Sequence, residues 1–179
     1  MPRFSSLVLP AALAAVVCVA QVTYTEYPIP AAGVFPRQIV TGSDGNIWFT
    51  EDNIPGIGRI TPTGVVTEFA VPADEGITAG PDGNLWFTEY GAQKTGRITT
   101  AGVATEFPLA GGSYPVNITA GPDGNLWFVE RFGNKIGRIT INGVITEFPI
   151  PTADSEPLFI AAPSHYHRNL QRCLGTLRS

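Results

Sequence analysis

The phrase GPDGNLWFTE, residues 80–89, returns as GPDGNLWFVE at 121–130 and has an earlier form, GSDGNIWFTE, at 42–51. The three copies start 38 and 41 residues apart. Two further phrases, GRI and TEF, follow each copy at the same two spacings. Since all three phrases advance together, they indicate a structural repeat with a period near forty, in which each copy is one supersecondary unit.

The signals inside one repeat are those of strands and turns. In the third copy, NITA (117–120), LWFVE (126–130), IGRIT (136–140) and VITEF (144–148) have the composition of short strands. They are separated by glycine-bearing turns such as PDGN (122–125), and no stretch shows helical periodicity with caps. Four short antiparallel strands per forty residues are typical of a propeller blade. The sequence therefore predicts an all-β fold, a β-propeller of four-stranded blades.

The three tryptophans of the chain all lie in the repeated phrase, and each is followed by phenylalanine: Trp48, Trp86 and Trp127. Each aromatic side chain can bury roughly 150–250 Å², which at about 25 cal/mol per Å² is worth several kcal/mol. Adjacent residues of a strand point to opposite faces, so each blade should receive one aromatic ring on each face. We interpret these rings as core packing between blades, in preference to a ligand-stacking role.

The repeated charged residues also have structural interpretations. Calcium loops need several oxygen ligands within a dozen residues, whereas each turn offers one carboxylate, so we predict that Asp44, Asp82 and Asp123 are turn residues. The arginine of GRI could bind an anion, but the glutamate that ends WFTE closes the neighbouring strand, and a cross-strand ion pair is favoured. The expected pairs are Arg59 with Glu51, Arg97 with Glu89, and Arg138 with Glu130.

The first twenty residues differ from the rest. Arg3 precedes an apolar run, residues 7–19, which predicts a secretory signal peptide over residues 1–20. A transmembrane anchor is the alternative, but the run is short and is interrupted by Pro10. We therefore expect a secreted, extracellular protein without membrane association. Only Cys173 would remain after cleavage, so the core should hold without an internal disulfide.

Charge divides the remainder of the chain at about residue 163. Residues 21–163 carry fifteen acidic and seven basic side chains, a net of −8, whereas the divergent tail, 164–179, has three arginines and no acid. An acidic body without a basic stripe argues against nucleic acid as a partner. The predicted organisation is therefore an incomplete propeller followed by a non-repeat tail, with repeats at approximately 28–69, 70–107, 108–148 and, in part, 149–163.

The order of phrases ITAGPDGNLWFTE, GRIT and TEFPLA, over about residues 23–160, resembles the repeat of the streptogramin lyases, the virginiamycin B lyase family. The resemblance implies a seven-bladed propeller that opens the ring of a type B streptogramin by elimination without water. It further implies Mg²⁺ as cofactor and a small-molecule or cyclic peptide ligand. Such chemistry needs a base to take a proton from carbon and a cation to hold the developing negative charge.

The resemblance also implies where that base should be: a histidine just upstream of the GPDG turn, preceded by glutamate and proline. The first repeat has Arg37 there, the second is shortened to ADEGI (73–77), the third has Val116 and the fourth has Leu158. Glu156, two residues before Leu158, is the only match to a functional position and is the candidate catalytic residue; a loop carboxylate without a function is the alternative. The two histidines of the chain lie after residue 163, outside the repeats.

Several alternatives remain open. About three blades are present where seven are expected, so we interpret the chain as a truncated member of the family, with an amphipathic cap formed by the tail as the alternative. Open blade edges could support self-association. The function is either that of a lyase or that of a non-catalytic extracellular binding propeller. Asn117, in the sequon NIT, is a candidate glycosylation site.

Overall fold

The computed structural model describes residues 24–162. The predicted signal peptide, Cys173 and the tail from 164 onward lie outside this range. No helix that could cross a membrane is found within it. The described chain forms twelve strands: β1 Pro36–Thr41, β2 Ile47–Glu51, β3 Gly56–Ile60, β4 Val66–Phe69, β5 Ile77–Ala79, β6 Leu85–Glu89, β7 Lys94–Ile98, β8 Ala104–Pro108, β9 Pro115–Ala120, β10 Leu126–Glu130, β11 Lys135–Ile139 and β12 Ile145–Pro149.

The twelve strands form three sheets of four, and each sheet is an antiparallel meander of four consecutive strands. We call the sheets blade 1 (β1–β4), blade 2 (β5–β8) and blade 3 (β9–β12). The first strand of each blade lies beside the first strand of the next, β1 against β5 and β5 against β9. This arrangement confirms the predicted all-β propeller with four-stranded blades and places the first strands along one inner surface.

The repeated GPDGNLW phrase is a turn tied to the tryptophan that follows it. In blade 2, Gly83 has φ +79°, a backbone conformation that glycine adopts without strain. The carboxylate of Asp82 accepts hydrogen bonds from the Asn84 side chain at 2.8 Å and from the Trp86 indole Nε1 at 3.0 Å. Blades 1 and 3 repeat both bonds. The aspartates are therefore turn residues, as predicted, and each also fixes the orientation of an indole ring.

The hydrophobic core lies between the blades. Trp48 of blade 1 packs in one cluster with Ile77, Leu85 and Ile98 of blade 2, and all four are buried. The same arrangement recurs between Trp86 of blade 2 and the corresponding residues of blade 3. Burial of this apolar surface stabilises the contact between successive blades by about 25 cal/mol per Å² of buried area.

The outer face of blade 1 has no described blade against it. Ile39 occupies the position that Ile77 holds in blade 2 and Ile118 in blade 3. The exposed fraction of Ile39 is 68%, whereas the fractions for Ile77 and Ile118 are 1% and 2%. An apolar groove of about 570 Å³, with Phe49 among its lining residues, lies on this face. Because the equivalent positions are blade–blade core in the other two blades, we assign this groove to packing and not to a ligand.

Phenylalanine occupies the face opposite to tryptophan, as predicted. Phe87 pairs with Gly96 on the neighbouring strand, and its ring covers the glycine so closely that an added Cβ would lie 2.1 Å from the ring. Trp86, on the other face, stacks on Phe107 with ring centroids 5.5 Å apart. Each blade therefore carries aromatic packing on both faces.

The predicted cross-strand pairs between arginine and glutamate are wrong. In blade 1, Arg59 lies opposite Trp48 in the register, and Glu51 lies opposite Gly56. The Arg59 guanidinium lies 5.5 Å from the Trp48 ring and donates a hydrogen bond to the Thr100 carbonyl of blade 2 at 3.0 Å. A strand places successive side chains on opposite faces, so an odd offset in register separates the two charges. The arginine instead helps to connect blades.

The two end segments, residues 24–27 and 157–161, belong to none of the three sheets. A strand requires a hydrogen-bonded neighbour, and the described residues provide none for these segments. Tyr27 nevertheless covers Gly64 as Phe69 covers Gly102 in the next blade. The N-terminal segment therefore takes the place of the last strand of a preceding blade.

Candidate functional site

A cleft of about 590 Å³ opens where the first strands begin. Polar and apolar side chains both face it, which distinguishes it from the apolar groove on blade 1. The first strands, the loop after β10 and the segment beyond β12 all contribute to its wall. Its lining residues are Arg37, Gln38, Glu75, Val116, Asn117, Arg131, Leu158 and Phe159.

The cleft brings together the repeat positions at which the family resemblance implies a base. Arg37, Glu75 and Val116 each precede the tryptophan of their own blade by eleven residues, and all three line the cleft with Leu158. The sequence pattern does not indicate Glu75, because ADEGI lacks the proline and has Asp74 in its place. The constant distance of eleven residues to the tryptophan identifies Glu75 as the equivalent position.

Glu75 is the acidic residue among those that line the cleft, and its carboxylate forms an ion pair with an arginine. Arg37 Nε lies 2.9 Å from Glu75 Oε2, and Arg37 Nη1 lies 2.9 Å from Asp52 Oδ2. The Glu75 side chain is 12% exposed. Burial, the largest cause, raises the pKa of Glu75 to about 7; Arg37 lowers this pKa, while Asp74 and Asp52 raise it. Glu75 can therefore exchange a proton near neutral pH.

A second ion pair lies at the cleft, between Arg131 and Glu156. Arg131 donates two hydrogen bonds to Glu156 Oε2, at 2.9 and 3.2 Å from Nη2 and Nε. The Glu156 side chain is 51% exposed and is not among the lining residues, although Leu158 is. The catalytic role of Glu156 stays a prediction. In this structure the residue positions Arg131 at the cleft.

Two amide side chains that line the cleft connect the inner strands. The Gln38 side-chain oxygen accepts from Asn117 Nδ2 and from the backbone amide of Ile77, each at 3.4 Å. Asn117 Oδ1 in turn accepts from the backbone amide of Ile160 at 3.1 Å. The amide that a sugar would modify is thus engaged in hydrogen bonds inside the cleft. Glycosylation at Asn117 stays a prediction.

Side chains that commonly bind metals are not clustered in the described part of the chain. Within residues 24–162, no group of three or more His, Cys, Asp or Glu side chains comes together to hold a metal ion. Mg²⁺ is bound through oxygen ligands with near-octahedral geometry, whereas Glu75 and Glu156 are each paired with an arginine. The expectation of magnesium stays a prediction.

Comparison with known proteins gives the family. The model of the virginiamycin B lyase family matches residues 14–167. The chain belongs to the virginiamycin B lyase family. A search of curated proteins found no match.

Solved structures of this family have the same fold. Virginiamycin B lyase from Staphylococcus aureus is 48% identical, with a TM-score of 0.75, over 78% of this chain and 50% of that chain. A catalytically inactive histidine-to-alanine variant of the S. aureus lyase, solved with quinupristin, is 45% identical with a TM-score of 0.74 over 78% of this chain and 50% of that one. A streptogramin B lyase is 44% identical with a TM-score of 0.73, over 79% and 49%. The present chain therefore spans about half the length of these relatives.

Proposed function

We propose that the chain is part of a secreted virginiamycin B lyase-like propeller that binds a cyclic depsipeptide, or a peptide ester of similar size, in the cleft at the start of the inner strands. The observation that carries this proposal is the convergence of four repeat-equivalent positions on one cleft, within a chain of this family. Ligand sites of propellers need such a concave surface on an otherwise packed fold.

The size and chemistry of the cleft support a small-molecule ligand. Its volume of about 590 Å³ lies inside the range of roughly 300–1,000 Å³ that is usual for such sites. Apolar surface from Val116, Leu158 and Phe159 can cover a peptide ring, while Gln38 and Arg131 offer hydrogen-bond donors to its carbonyl oxygens. A cyclic peptide ester presents both kinds of surface.

A non-catalytic binding propeller is the second candidate. The S. aureus variant in which alanine replaces one histidine is catalytically inactive, and residues 24–162 of this chain contain no histidine. Arginine, glutamate, valine and leucine occupy the corresponding positions in the described repeats. Histidine-dependent elimination therefore does not come from these positions, whereas ligand binding needs only the cleft.

Isothermal titration with quinupristin tests the binding proposal. Leu158→Arg places a long charged side chain in the cleft at a residue that is 44% exposed and outside every strand. We expect it to raise the Kd at least about tenfold. Val103→Arg is the matched control, since Val103 is 64% exposed in the turn between β7 and β8. Equal affinities of the two variants, or absence of binding by the parent chain, would contradict the proposal.

Ring opening is measured separately. The purified chain is incubated with quinupristin and Mg²⁺, and the products are followed by mass spectrometry. A lyase converts the ring to an open chain without the added mass of a water molecule. Binding without ring opening would favour the second candidate.

A further inference from the structure

We propose that Glu75 is a proton acceptor for a ligand held in the cleft, so that this family member carries its base on blade 2 as a carboxylate. This inference rests on the proposed function, because it requires the ligand to occupy the cleft. It concerns an activity beyond binding, so it can fail while the binding proposal stands.

The position of Glu75 is the first argument. It lies just before β5, at the start of an inner strand, and it lines the cleft with Arg37 and Val116 from the equivalent positions of the other blades. A base must come within hydrogen-bond reach of the proton that it removes. Of the four equivalent positions in the described repeats, only this one holds a side chain that can accept a proton.

The peptide group that follows Glu75 is fixed by hydrogen bonds to two blades. Its carbonyl accepts from Thr50 Oγ1 of blade 1 at 2.7 Å, and the next amide, Gly76 N–H, donates to Thr88 Oγ1 of blade 2 at 2.7 Å. The Arg37 guanidinium then orients the carboxylate at 2.9 Å. Catalytic groups are most effective when their surroundings hold them in place.

The other carboxylates of the described chain are less suited to the task. Glu156 is half-exposed and receives two hydrogen bonds from Arg131. The glutamates that end the WFTE phrases are buried and do not line the cleft: Glu51, Glu89 and Glu130. Glu75 alone combines a cleft position with low exposure.

The step is an elimination in which all atoms stay in the ligand or on Glu75. The C–H bond next to the carbon that bears the ester oxygen breaks reversibly, and the proton moves to a Glu75 carboxylate oxygen, where it exchanges with solvent and from which it can return to the carbon as deuterium in D₂O. The electron pair forms a C=C bond, the C–O bond to the ester oxygen breaks, and that oxygen leaves with its electron pair as a carboxylate. Glu75 then returns the proton to solvent, and no oxidant, reductant or water is consumed.

The charges around Glu75 set its pH dependence. Arg37 and Arg131 favour its ionised form, whereas Asp52, Asp74 and burial favour its neutral form, and the pKa lies at about 7. The ionised form accepts the proton, so the rate should rise with pH and level off above about 7. A base with a pKa near the working pH is the most effective one.

The test uses quinupristin in D₂O and follows deuterium incorporation at carbon, together with ring opening, by mass spectrometry and NMR. We expect Glu75→Gln to slow exchange and opening at least about a hundredfold while the calorimetric Kd changes less than about threefold. Glu75→Asp, which keeps the carboxylate, should retain part of the rate. Glu106→Gln, an outer-strand glutamate outside the cleft, is the control and should match the parent chain.

The outcomes separate the two proposals. A parent chain that binds quinupristin without exchange or opening overturns the role of Glu75 and leaves the binding proposal intact. The role of Glu75 is also overturned if Glu75→Gln, shown to be folded by near-ultraviolet circular dichroism, exchanges as fast as the parent. Failure of the parent chain to bind overturns both. Loss of exchange in Glu75→Gln with unchanged affinity, and a pH profile that rises through about 7, is the expected result.

Discussion

Replacing Gly96 with alanine should destabilise the propeller by overpacking one blade. An added Cβ would lie 2.1 Å from the Phe87 ring, and Phe87 is fully buried between blades, so its ring has no open space to enter. Overpacking of this kind costs about 1–3 kcal/mol. Alanine also lowers the conformational entropy of the unfolded chain, which offsets about 0.4–1 kcal/mol of that cost. We expect a net loss of about 1–2 kcal/mol, which lowers the Tm by roughly 2–8 °C for a domain of this size.

The assay is urea unfolding monitored by tryptophan fluorescence. The midpoints of the variants are compared, provided that the dependence of the unfolding free energy on urea concentration, the m-value, is unchanged. Gly111→Ala is the control, because an added Cβ meets nothing within 4 Å there and φ is not positive. Its stability should stay within about 0.5 kcal/mol of the parent. The double variant Gly96→Ala, Phe87→Leu should recover part of the loss, since the two positions couple. Equal midpoints for Gly96→Ala and Gly111→Ala would refute the close packing of glycine under phenylalanine.

Three further predictions address the repeat. Trp86→Ala should cost about 3–5 kcal/mol in urea unfolding, and Trp127→Ala should cost less, because Trp86 is fully buried between blades and Trp127 is only partly buried. Asp82→Ala should cost about 1–2 kcal/mol by removing the acceptor of the indole N–H, which thermal unfolding would detect. Burial, and then Glu106, raise the pKa of Glu89 to about 8. Since that pKa is raised on folding, thermal unfolding should show the parent losing stability relative to Glu89→Gln as the pH rises from about 4.5 to about 8.

The fold could be predicted from the sequence because one phrase encodes both a turn and a core. The Asp-Gly turn and the tryptophan four residues after Asp82 are coupled by a hydrogen bond, and the pattern repeats in every blade. The arginine partners were beyond prediction, since they depend on a register offset and on the carbonyl of the next blade, neither of which is local. Glu75 was missed because Asp74 replaces the proline that marks the equivalent position in the other repeats. The positions of the site residues depend on how the blades pack against one another. Sequence spacing indicates these positions only when it is counted from a core residue such as the tryptophan.

Hydrogen–deuterium exchange of the backbone, with and without quinupristin, tests most directly whether the inner cleft is the functional site. Binding there should slow exchange in residues 74–77 and 115–118, which flank Glu75 and Asn117 at the cleft. Exchange in the outer turns, residues 99–103 and 140–144, should stay the same. Protection confined to the outer turns, or uniform exchange with bound ligand, would contradict the assignment of the cleft.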